Sequence, residues 1–175
     1  VRFQGLCYRG HDPKWAFSPT SGAGAAIHGG RFNAPGVPAL YLALTLEGLF
    51  LEVAHGFGHR FEPLTVCTYD VDAEDVVDLR TDDTRRAAEV TLADLACAWA
   101  LDRASRRKPA SWTATERLTE AGAAGILVPS FASGARPGMD NLVLWRWGDG
   151  LPHRVSVHDP SGRLPHDQSS WPGEP

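Results

Sequence analysis

The order of short apolar runs constrains the fold of this chain more than any other feature. Strand-like runs fall at residues 6–9, 39–43, 64–71, 76–79, 125–129 (GILVP), 141–147 (NLVLWRW) and 154–157, the last two reading as a late strand pair. Between them lie helical patterns. Leu46, Leu49, Phe50, Val53 and Phe57 recur on one helical face behind Thr45, a suitable N-cap, with Gly56 and Gly58 as the stop. A second pattern runs over 82–103, broken near Thr91, where Thr91 and Asp94 form a capping-box pair. A third covers 113–121, with Gly122 as its C-cap. Strands and helices do not alternate regularly. This predicts an α+β fold in one domain, with mixed and largely antiparallel pairing and flanking helices, over a doubly wound sheet.

Residues 11–36 are rich in Gly, Pro, Ser and Ala and read as a long loop, a length at which loops are often functional. Residues 159–175 are Pro-, Ser- and Gly-rich and read as a loose tail behind a domain spanning 1–158.

Composition narrows the classes. A chain of 175 residues with 43% apolar content can bury a real core. Its formal net charge of -4 argues against direct binding to nucleic acid or to an anionic membrane. Three scattered cysteines, Cys7, Cys67 and Cys97, suggest neither a disulfide framework nor a zinc knuckle, and point to reduced thiols in a cytoplasm.

Several motifs resolve to plain readings. SGAGAAIHGG has Ile27 where a dinucleotide fingerprint needs its third glycine, and no P-loop pattern occurs. Glu52, His55 and His59 have the spacing of metal ligands, but Gly56 and Gly58 interrupt the helix they would share, so no metal is expected. Ser130 follows a strand without a nucleophile elbow around it.

The stretch GGRFNAPGVPALYLALTLEGLFLEV carries three side chains that packing alone does not require: Arg31, Tyr41 and Glu52. Gly29 and Gly30 permit a close backbone approach or positive φ. Arg31 offers a planar donor fork suited to phosphate. Glu52 lies off the apolar helix face by roughly a third of a turn at ~100° per residue, and so flanks the core. Taken singly, each also fits a surface arginine, a core tyrosine and a solvated glutamate.

Taken together, these segments resemble the RES-domain family, the toxins of bacterial Xre–RES toxin–antitoxin pairs. CYRG at 7–10, SGAGAAIHGGRFNAPGVPALYLA at 21–43, LEVA at 51–54, GILVPS at 125–130 and NLVLW at 141–145 carry the likeness, which extends over roughly 6–147. Phe32 departs mildly, standing where the family often has Trp. The resemblance implies a fold similar to the diphtheria-toxin-like ADP-ribosyltransferases and cleavage of the nicotinamide–ribose bond of NAD as substrate. Water, inorganic phosphate or a protein side chain would be the acceptor. It also implies an Xre-type helix-turn-helix antitoxin as partner. The family's Arg, Glu and Ser match Arg31, Glu52 and Ser130, its site tyrosine matches Tyr41, and Arg9 matches a second arginine. The expected roles follow: Glu52 beside the ribose, Arg31 and Arg9 on the diphosphate, Tyr41 stacked on substrate, Ser130 bonded to the nicotinamide amide or a ribose hydroxyl. A protein ADP-ribosyltransferase and a non-catalytic nucleotide- or partner-binding module are the alternatives.

Overall fold

A computed structural model describes residues 1–54 and 62–171. Seven strands, β1 (Phe3–His11), β2 (Leu40–Ala43), β3 (Thr65–Ala73), β4 (Val76–Asp78), β5 (Gly125–Pro129), β6 (Asp140–Leu144) and β7 (His153–Val157), form one sheet in the order β4-β5-β6-β2-β1-β3-β7. Only β4–β5 is parallel; the other neighbours are antiparallel. The α+β expectation therefore holds, with a single mixed sheet in place of several. The late strands are not neighbours: β6 lies between β5 and β2, and β7 pairs with β3 at the far edge.

The sheet has a seam. β1 pairs with β3 along its whole length, Phe3 opposite Ala73 to His11 opposite Thr65. β2 pairs with β6 over all four of its residues. Between β1 and β2 the ladder holds one pair, Tyr8 opposite Ala43. The ends carrying Arg9–His11 and Leu40–Leu42 are unpaired with each other, and a cleft opens there.

Alternation sorts side chains to two cores. Leu40, Leu42, Leu127, Leu142 and Leu144 enter one, with Cys7, Tyr69 and Val71. Ile126, Val128 and Val143 enter the other, beneath a layer in which helices supply Leu95, Ala114 and Leu118 and the connecting segments supply Leu79 and Val90; Tyr41 packs against this second core.

The helices are short: α1 (Ala23–His28), α2 (Leu46–Ala54), α3 (Asp82–Ala87), α4 (Leu92–Leu95), α5 (Trp99–Ala104) and α6 (Ala110–Glu120). Thr45 caps α2, its Oγ1 accepting the Gly48 amide at 3.0 Å. The expected apolar face of α2 is only partly buried. Leu49 is inside, whereas Leu46 and Phe50 are 46% and 44% exposed. Phe57, Gly56, Gly58, His55 and His59 lie outside the described residues. The pattern over 82–103 resolves into three helices with capping boxes at Thr81 and Thr91. The 11–36 loop contains α1 and a 3-10 turn at Pro13–Trp15.

Residues 159–171 make contacts with the rest of the domain. Asp159 accepts the Arg163 and Leu164 amides at 2.8 and 3.0 Å. Leu164 packs on the first core. Gln168 Nε2 donates to the Lys14 carbonyl at 3.3 Å. No helix among the described residues is long and apolar enough to cross a membrane.

Candidate active site

The cleft at the seam has a volume of about 920 Å³, in the upper part of the range for small-molecule sites, roughly 300–1,000 Å³. One wall comes from the end of β1 and the turn after it: Arg9, Gly10, Asp12 and Pro13. Tyr41 of β2 and Leu49, Glu52, Val53 and Ala54 of α2 form another, and Glu62–Leu64 and Trp171 complete it.

Glu52 is the best-anchored acid in the cleft. Its Oε1 accepts the Ser130 hydroxyl at 2.6 Å and the Asn141 amide at 2.6 Å. The partners arrive from distant sequence. Ser130 follows β5 and Asn141 is the second residue of β6, adjacent antiparallel strands. Ser130 Oγ also accepts the Ala132 amide at 3.2 Å, which orients its proton toward the carboxylate. Two bonds on one oxygen fix the carboxylate plane and leave Oε2 outside this pair of contacts. The sequence reading gave Ser130 to the substrate; in this structure its hydroxyl donates to Glu52. Asn141 was quoted only as part of a strand. An Asn at a strand start usually reads as turn chemistry, so its sequence gave no signal.

Tyr41 is held as firmly. Its hydroxyl donates to Asn33 Oδ1 at 2.7 Å and accepts the Phe32 amide at 3.0 Å. Burial pushes its pKa up, so it stays a phenol. Asn33 is 2% exposed and donates in turn to the Ala25 and Val37 carbonyls, both at 2.8 Å. The double glycine serves this tyrosine. Gly29 has φ +68°, and a Cβ on Gly30 would stand 2.5 Å from the Tyr41 hydroxyl. The close approach foreseen for these glycines is made by Tyr41.

Arg31 takes a different direction. Its Nη1 donates to the Leu95 and Cys97 carbonyls at 3.1 and 2.8 Å, and its guanidinium stands 5.0 Å from the Phe131 ring centre. Its backbone is clamped too: the Arg31 carbonyl accepts the Ser111 hydroxyl at 2.5 Å and the Gly30 carbonyl accepts Trp112 Nε1 at 2.8 Å. Arg31 is not among the residues that wall the cleft. Burial, the largest influence, lowers its pKa, while the nearby Glu52 carboxylate acts in the opposite direction.

Arg9 does reach the cleft wall. Its Nη1 donates to the Pro19 and Ser21 carbonyls at 3.2 and 2.9 Å. The described wall thus carries one guanidinium, Arg9, and three carboxylates, Asp12, Glu52 and Glu62. Such a balance favours a cationic reaction centre and leaves Arg9 as the local counter-charge for an anion. Beside Arg9, buried His11 bonds Tyr69 at 2.6 Å. No group of three His, Cys, Asp or Glu among the described residues has the arrangement of a metal site.

Comparison with known proteins bears on the family and the fold. A family model described as RES domain matches residues 6–167. Among solved structures, the crystal structure of the M. tuberculosis MbcT–MbcA toxin–antitoxin complex contains a chain similar to this one. The TM-score is 0.58 at 23% identity, covering 91% of this chain and 84% of that one. None of the curated proteins compared with the chain matches it.

Proposed function

The chain belongs to the RES-domain family, and on that premise we propose that it is a toxin enzyme that breaks the nicotinamide–ribose bond of NAD. The observation that carries the reading is the Glu52 carboxylate, fixed on Oε1 by Ser130 and Asn141 in a cleft that also holds Tyr41 and Arg9. In the reaction, nicotinamide departs with the electron pair of the glycosidic bond and C1′ of the ribose turns cationic, as in other glycoside cleavage. A preorganised carboxylate stabilises that charge with no reorganisation of its own. Water or inorganic phosphate then supplies the oxygen that bonds C1′ and gives up its proton.

In this reading Glu52 faces the ribose, and Tyr41, a rigid phenol, orients the ring it meets. Arg9 takes the diphosphate. Arg31 braces the turn that presents Tyr41 and biases the field at Glu52. Ser130 and Asn141 position Glu52. The likeness to the diphtheria-toxin-like ADP-ribosyltransferases belongs to the same proposal. So does an antitoxin partner, supported by the toxin–antitoxin pairing in the similar solved complex; its Xre type rests on the family resemblance.

Incubation with NAD, with and without phosphate, tests the reading. We expect free nicotinamide from the protein alone, with the second product showing whether water or phosphate is the acceptor. Glu52→Gln keeps the shape and removes the charge; it should slow nicotinamide release by about 10²–10³-fold. A folded Glu52→Gln protein with unchanged turnover would sink the assignment. NAD consumed only when a protein acceptor is added would favour the transferase.

A further inference from the structure

Trp171 has no part in the constellation above, yet it walls the same cleft. The chain travels far to put it there. After the edge strand β7, the Asp159 loop reverses direction and Leu164 anchors it on the core. Gln168 then bonds the Lys14 carbonyl in the turn that follows β1. The Trp171 amide closes a turn onto the Gln168 carbonyl at 3.0 Å. Trp171 therefore enters from the β1 side, next to Asp12 and Pro13. Tyr41 comes from β2, across the seam, and Glu52 from α2, which packs on both β1 and β2. The indole is part-buried, with the cleft against it.

We propose that Trp171 is a specificity-determining residue that stacks on the adenine ring of the dinucleotide, at the end of the cleft away from the bond that breaks. The inference rests on the NAD reading of this cleft. A substrate with two heterocycles needs a contact for each. Tyr41 stands with Glu52 at the reacting end. An indole face is a strong and undemanding platform for a purine, because every base has a π-face. The terminal segment thereby becomes part of the binding site.

Comparing NAD with nicotinamide mononucleotide, which keeps the scissile bond and lacks the adenosine half, tests this. For Trp171→Ala we expect KM for NAD to rise roughly tenfold, the size of one lost base–aromatic stack. The kcat for NAD, and kcat/KM for the mononucleotide, should stay near the unaltered protein's. Trp171→Phe should recover most of the loss. AMP binding by calorimetry should weaken in Trp171→Ala by a similar factor, a readout that needs no turnover. Equal losses on both substrates would mean a structural role and overturn the proposal, as would faster NAD turnover in Trp171→Ala, which marks an obstructing strap. If the unaltered protein binds AMP through Trp171 but cleaves neither substrate, the NAD-cleavage reading fails while the stacking site stands.

Discussion

At the scale of single residues, the proposed activity rests on how Glu52 is held. Ser130 and Asn141 share one oxygen, and hydrogen bonds to a charged group contribute roughly 1.5–3 kcal/mol. Ser130→Ala or Asn141→Ala should each lower kcat about tenfold or more with KM little changed, and the double variant should lose more than either alone. Steady-state kinetics on NAD checks this; a raised KM at constant kcat would return Ser130 to direct substrate binding. Much of this constellation was legible in the sequence. Arg31, Tyr41 and Glu52 stood out because a glycine pair, a short strand and a helix flank each displayed a residue that packing did not need. Asn33 and Asn141 were not legible. Their amides act through partners eight and 89 positions away, Tyr41 and Glu52, and nothing in the local pattern marks them.

At the scale of elements, the strands were the easiest to read. The run 125–129 coincides with β5, and Thr45 caps α2 as its type suggests. The misses have local causes. α1 (AGAAIH) hides among glycines that read as loop. The region 82–103 breaks twice: Glu89 takes φ 53° after α3 and Thr91 starts α4, which stops at Leu95 before α5 begins at Trp99. The turn between α1 and β2 gives a sharp test. Gly30→Ala places a methyl against the Tyr41 hydroxyl and the Asn33 side chain, at 2.5 and 2.9 Å. Overpacking of this kind costs about 1–3 kcal/mol. Gly24→Ala, inside α1 with nothing within 4 Å of the new Cβ, should be neutral or stabilising by up to about 1 kcal/mol. Urea midpoints of the two variants should therefore move in opposite directions, or only the first should move.

At the scale of the whole molecule, sheet order was the least legible property. Neighbours such as β2 and β6 are separated by about 100 residues, and register depends on packing that no local pattern encodes. The buried His11–Tyr69 bond joins β1 to β3 beneath the Arg9 wall and makes global stability depend on pH. Tyr69 donates to the Pro19 carbonyl at 2.8 Å, so His11 Nε2 must be the donor to Tyr69. Burial first, then the Arg9 charge, bring the His11 pKa down from 6.5 to about 4. Between those values the unfolded chain binds more protons, so stability falls as pH drops through that window. The loss between pH 7 and 5 should be roughly 2 kcal/mol. His11→Gln, which keeps a donor for Tyr69, should flatten that slope in denaturant titrations at the two pH values; an unchanged slope would assign it elsewhere.

The single amide pairing of Tyr8 with Ala43 has a mechanical meaning. Two well-laddered half-sheets meet along a joint one residue wide, so the jaws bearing Arg9 and Tyr41 are spaced by the side chains packed beneath them. Such a joint has few hydrogen bonds to resist a change of aperture, unlike the ladders on either side of it.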